Sequence, residues 1–397
     1  MSSKYGSIRF TSMLAEDLLF FSVPVAAFQR NFHLNDSVKL YFLMVTLRLI
    51  AYPIAGWMSD RRGALKTYRY SVLIRAGIAL FSMIAIKNHP GIFIPILVAL
   101  VFSEGVCSGF SSVSFDAQST DENTQGAIQN ADQLAVLTAP LLGAFLLKFL
   151  FISGVLLCTA IFFIAAFYLS FSLMPIAPLA NRKYSSPRNF GLFFDLHLVF
   201  QAILASPFLL ILIILTLIDN FLIGMQGASM TPLALGLFNR DESALGLALF
   251  LGGCAASITV WGCTRWLKPS FTRHLWVTSY LIQYLGFLLT GFSRSFIGYS
   301  TGLGICDVAC AVSIYTLRVL RLTIIPQAEL GKTLGIIYFL QQLTLPLGSL
   351  LVGLNETTQV LQRTILLTSA MGGIVTFILI RFLLYTFREA VIPKEAY

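Results

Sequence analysis

The sequence predicts an all-α membrane protein of twelve transmembrane helices in two pseudo-symmetric six-helix bundles. Three observations carry this prediction. Hydrophobic residues make up 57% of the chain and charged ones 11%, with a mean hydropathy of +0.80, outside the range of soluble domains. Apolar runs long enough to cross a bilayer recur along the whole length, leaving no room for a separate soluble domain. A shift of 206 residues carries Ser37 onto Ser243, Gly56 onto Gly262, and Thr138 and Pro140 onto Thr344 and Pro346, at matching places in matching spans, as a duplicated half would.

In chain order, the first half holds spans at residues 10–28, 39–58, 71–87, 92–114, 129–149 and 153–174. Glu16 and Asp17 interrupt the first apolar run, so it reads as a retained helix and not as a cleaved signal. The polar stretch NRKYSSPRNF, residues 181–190, then separates the halves. Residues 1–180 are expected to form the N-terminal bundle, 181–203 a cytoplasmic linker and 204–397 the C-terminal bundle. The second half has spans at 204–228, 244–264, 274–292, 297–317, 334–354 and 363–386.

Basic residues orient these spans, because Lys and Arg in short loops stay preferentially in the cytoplasm. With both termini inside, nineteen Lys and Arg fall on the inner side, Arg9 and Arg75 among them, and seven on the outer side. Arg48 is left inside the membrane. The net charge of +9 therefore answers to anionic inner-leaflet lipid and needs no nucleic acid. All six cysteines lie in spans or at their ends, which argues against a disulfide framework.

The stretch GWMSDRRGALK, Gly56–Lys66, is an island of charge between two apolar runs. Gly56 lets its helix approach a neighbour closely. Asp60 can pair with a basic group or cap a helix on the second bundle, as an inner latch, while Arg61 and Arg62 meet lipid head groups. Gly56, Asp60, Arg61 and Gly63 resemble the G-x-x-x-D-R-x-G signature of the major facilitator superfamily. The basic pair that usually follows is replaced by Ala64 and Leu65. In the second half Trp266 stands at the Asp position.

A second resemblance is narrower. The run IIPQAELGKTLGIIYFLQQLTLPLGSLL, residues 324–351, and LASPFLLILIILTL in the seventh span resemble the branch with enterobactin-type siderophore exporters and macrolide efflux pumps. TAPLLGAF in the fifth span partly resembles the exporters' GPxxG element, with Ala139 in place of a glycine. Pro140 and Pro346 are the candidate hinges, since proline bends membrane helices.

Ionisable residues within hydrocarbon cost several kcal/mol, so each needs a reason. They are Glu16, Asp17, Arg48, Glu104, Asp219 and Asp307. The resemblance implies that the first, fourth, seventh and tenth spans line a central cavity, which puts these carboxylates on all four. At about 1.5 Å per residue, Arg48, Glu104 and Asp307 lie roughly 15 Å from the inner ends of their helices. Arg48 is the only central cation by this reading, with Glu104, Glu16 or Asp17 as its partner. An acid left without a cation there favours its neutral form, which suits a proton carrier. Asp116 and Asp132 fall near the inner surface and read as loop or cap residues.

No P-loop and no enzyme motif is present, and no His lies within a span, His274 standing at the inner end of one. The expectation is a multi-pass protein of the plasma membrane, a bacterial inner membrane by the exporter resemblance. It would be a monomer, without cofactor or resident metal, that exchanges protons for a small organic molecule such as a siderophore or drug. The alternatives are a ferroportin-like divalent metal transporter, suggested by DQLAVLTAPLLG at residues 132–143 and by Cys306, Asp307 and Cys310, and an importer of a ferric siderophore or nutrient.

Overall fold

The computed structural model describes residues 2–31, 34–118, 122–173, 201, 207–266, 272–324, 330–355 and 357–386. The linker expected at 181–203 lies outside them except for Gln201. Every described element is helical, because a backbone crossing hydrocarbon has to satisfy its own hydrogen bonds. The main helices are α1 (Ser2–Asn31), α2 (Leu34–Arg62), α3 (Ala64–Asn88), α4 (Phe93–Ala117) and α5 (Glu122–Leu169). They are followed by α6 (Pro207–Thr231), α7 (Glu242–Trp266), α8 (Thr272–Phe292), α9 (Phe296–Ile324), α10 (Leu330–Gln342), α11 (Leu345–Gly353) and α12 (Thr358–Thr386).

Eleven stretches among the described residues are long and apolar enough to cross a membrane, α10 and α11 together making one of them. The fifth is α5, whose 48 residues would reach about 72 Å as one rod, more than twice the hydrocarbon thickness of about 30 Å. Its helix breaks at Phe151, with φ 57° and ψ −172°, where the sequence predicts the boundary between two spans.

Two other breaks are local and legible. A single residue, Gly63, separates α2 from α3. Its φ of +92° suits glycine, which has no Cβ to clash, and its N–H still bonds the Ser59 carbonyl at 3.1 Å. The predicted span 334–354 instead divides at Leu343 and Thr344. Pro346 sits in the first turn of α11, where its missing N–H costs nothing, and the Thr344 hydroxyl donates to the Leu217 carbonyl of α6.

Two apolar cores organise the helices. One is drawn almost wholly from residues 8–173, joined by Ala234 and Leu245. The other spans residues 211–383, joined by Val38, Tyr41 and Val45 of α2. Small residues bring the two sets together, as membrane interfaces require. A Cβ on Gly335 of α10 would lie 2.5 Å from the Tyr52 carbonyl oxygen of α2, and one on Gly253 of α7 would lie 2.7 Å from the Leu137 Cα of α5. Large apolar side chains such as Phe81, Phe151, Phe292 and Ile297 cover the outside, facing lipid. In its most apolar stretch α1 is 72% buried and α12 22%, so α1 is a central helix and α12 a peripheral one.

Candidate functional site

Three buried side chains anchor the polar interior of the first five helices. Glu16 on α1, Arg75 on α3 and Glu104 on α4 are each no more than 3% exposed. The Arg75 guanidinium donates from Nη2 to Glu16 at 2.8 Å, from Nε to Glu104 at 3.0 Å and from Nη1 to the Ser111 hydroxyl at 2.9 Å. Its Nη2 also reaches the second Glu104 oxygen, and the Phe163 ring lies 4.2 Å from its Cζ. Arg48 donates to Glu16 from the other side, and Ser108 donates to the same oxygen at 2.7 Å. Two arginines thus balance two glutamates.

This arrangement corrects the expectation that Arg48 is the only central cation. The count of basic residues places Arg75 with the inner loops, although it lies inside the predicted span 71–87. Glu104 consequently belongs to Arg75, and Arg48 takes Glu16. A signal was available: Ser108 and Ser111 share a helical face with Glu104 on α4, a polar stripe that calls for a charged partner.

Arg9 needs the same correction. It is 5% exposed and donates from Nε to Asp132 of α5 at 2.6 Å. Asp132 is therefore an ion-pair partner inside the bundle and not a loop residue. The pair also explains why α1 starts eight residues before the predicted span: its polar first turns are tied to α5. Asp116, 3% exposed, accepts a hydrogen bond from the Tyr338 hydroxyl of α10. It is a cross-link between α4 and α10 and not a cap. Nearby, Tyr52 of α2 donates to Gln342 of α10 at 3.0 Å.

The later helices treat their acids differently. Asp219 on α6 is 5% exposed, and its Oδ1 has no hydrogen-bond partner. Asp307 on α9 is half-buried against Gly252 of α7, where an added Cβ would come within 2.9 Å of its Oδ2. The adjacent Cys306 donates its thiol to the Gln283 carbonyl at 3.6 Å, and Gln283 is fully buried, with both side-chain polar atoms unpartnered. No ion pair of Asp219 or Asp307 occurs among the described residues. Asp17 also has a buried Oδ2 without a hydrogen bond. Among the described residues, no group of three or more His, Cys, Asp or Glu is arranged to hold a metal ion.

A cavity of about 280 Å³ joins the two sets of helices. Arg9, Glu16, Arg48, Asp116 and Asp132 line it from one side, and Asp219, Asn220, Tyr280, Cys310 and Gln341 from the other. Glu104 and Asp307 are not part of this lining. At the end remote from Arg62, Tyr41 of α2 closes on Gly227 of α6, where an added Cβ would fall 2.1 Å from the tyrosine oxygen.

Gly56 meets Gly335 at the α2–α10 crossing, 3.3 Å from the position of an added Cβ. Asp60 is partly buried near the end of α2, and the Arg61 guanidinium lies 4.4 Å from the Trp57 ring. Pro140 is buried within α5, with its carbonyl against Gly246 of α7. An apolar membrane helix set of this kind, with a polar cavity at the seam of two cores, has the form of a transport path.

The family pattern described as Major Facilitator Superfamily matches residues 6–349. The chain belongs to this superfamily. No curated protein matches the sequence. Among solved structures, the crystal structure of the human organic anion transporter MFSD10 (TETRAN) superposes with a TM-score of 0.72 at 18% identity, covering 95% of this chain and 99% of that one. At that identity the likeness is one of fold. Membership of the superfamily makes this a multi-pass membrane protein of the secondary-transporter type.

Proposed function

We propose that this superfamily member is a proton-coupled secondary transporter that exports a small organic molecule. Two six-helix bundles, residues 1–180 and 204–397, would rock about the cavity, with 181–203 as the linker and α5 crossing twice about Phe151. The observation that supports the coupling is the presence of acids without cations among the described residues, Asp219 buried at the cavity and Asp307 half-buried on α9. A carrier carboxylate has to be neutral in one facing state and ionised in the other, and a fixed ion pair would hold it ionised in both. Asp60, Arg61, Gly56 and Gly63 would serve as the inner latch, and Pro140 and Pro346 as hinges.

Export, and a cargo of the siderophore or drug class, rest on the resemblance of residues 324–351 to exporters. The human neighbour in fold is an organic anion transporter. The low identity does not carry that cargo over. The test is transport into proteoliposomes under an imposed pH gradient, with organic substrates and divalent metal side by side. Organic flux driven against the proton gradient supports the reading. Metal flux that needs Cys306 and ignores the pH gradient removes it in favour of the ferroportin-like alternative.

A further inference from the structure

The cavity carries a charge balance that narrows its occupant. Among the described residues that line it are two arginines, Arg9 and Arg48, and four carboxylates, Glu16, Asp116, Asp132 and Asp219. Both arginines are engaged by protein acids, Arg9 by Asp132 and Arg48 by Glu16. No cation in the described lining is left over for an anionic guest. An acid is left over: Asp219 is 5% exposed, lines the space, and keeps Oδ1 without a hydrogen bond. Gln129, 1% exposed and also in the lining, keeps its Oε1 unpartnered in the same way. Buried acceptors without donors are costly, and a ligand that supplies positive charge or N–H groups removes that cost.

The rest of the lining fits such a guest. Tyr52, Tyr280 and Tyr338 are among the residues that line the cavity, and aromatic rings attract a desolvated cation. The volume of about 280 Å³ is near the lower end of small-molecule pockets, suited to one compact ring and a charged head group.

We propose that this cavity takes an organic cation, a quaternary or protonated amine on a compact apolar body, with the Asp219 carboxylate as its counterion. The proposal rests on the transporter reading and narrows its cargo, setting amine-bearing drug-like molecules ahead of anionic siderophores.

The test uses the full chain purified in detergent and labelled phenyltrimethylammonium, whose charge does not titrate, with benzenesulfonate as a competitor of similar size and opposite sign. Saturable binding of the cation, undisturbed by benzenesulfonate, is expected. Asp219→Asn should weaken it about tenfold or more, and Asp219→Glu should recover part of the loss, with both variants eluting as monodisperse folded protein. Equal affinity in Asp219→Asn, displacement by benzenesulfonate, or no saturable binding by the wild type would overturn the proposal. The two readings fail separately. Benzenesulfonate driven by a pH gradient, without cation binding, would remove the cation and leave the transporter. Cation binding without any gradient-driven flux would do the reverse.

Discussion

Glu16 and Glu104, on α1 and α4, are gripped by Arg75 and Arg48 with serine hydroxyls filling the remaining positions. Asp219, buried on α6, and Asp307, half-buried on α9 beside Gly252, have no arginine or lysine paired to them among the described residues. The difference assigns different work to the two regions. A carboxylate in a tight ion pair stays ionised and holds helices together, so the first region acts as a rigid polar core. An acid without a cation is free to change its charge when water, proton or cargo arrives, so on the proposed function the second region would be the responsive one.

The strongest way to break this comparison is Arg75→Ala. It leaves Glu104 without its cation and Glu16 with Arg48 alone, and should cost about 3–5 kcal/mol, read as a large drop in thermal stability and in yield from membranes. Arg75→Lys should recover part of this, because lysine restores the charge without the two-sided fork. A variant Arg75→Ala as stable as wild type would show that the network is not structural.

Arg48 sharpens the comparison at its edge, since its side chain is 18% exposed and touches the cavity. Arg48→Ala should destabilise by roughly 1–3 kcal/mol, less than Arg75→Ala, and more than Arg48→Lys. Equal mild effects of both substitutions in a melting experiment would mean that water, and not Glu16, satisfies Arg48.

In the responsive region, Asp307→Asn removes no ion pair and should change the melting stability by less than about 1 kcal/mol. A loss as large as that of Arg75→Ala would place Asp307 among the structural acids. Asp60→Asn should have the smallest effect on stability. It should nonetheless lower the transport rate at equal membrane abundance, if the Gly56–Lys66 stretch is a latch. Unchanged transport would remove that role.

Much of the fold was legible because hydrocarbon imposes it: runs of about 20 apolar residues, a break at Phe151 between two such runs, and glycine at a one-residue turn. Partner choice was not, because it depends on which helices meet in space. Arg75 is one residue in an apolar span, and nothing local in the sequence distinguishes an arginine reaching toward a head group from one clamped between α1 and α4. The same gap misplaced Arg9, Asp116 and Asp132, whose partners on other helices lie 123 residues away for Arg9 with Asp132 and 222 for Asp116 with Tyr338. The division of span 334–354 was only half visible: Pro346 marked a bend, while the bond from Thr344 to Leu217 that holds the break is tertiary.

The most direct test of the central claim compares Asp307→Asn with Glu104→Gln in proteoliposomes, using a labelled organic substrate that the wild type accumulates under a pH gradient. Glu104→Gln, once shown to be folded, should still be driven by the gradient if the ion pair with Arg75 makes Glu104 an anchor and not, as the sequence also allows, a proton carrier. Asp307→Asn should lose gradient-driven accumulation while still exchanging substrate down its concentration gradient. The opposite outcome, coupling lost in Glu104→Gln and kept in Asp307→Asn, would contradict the division between a rigid and a responsive region.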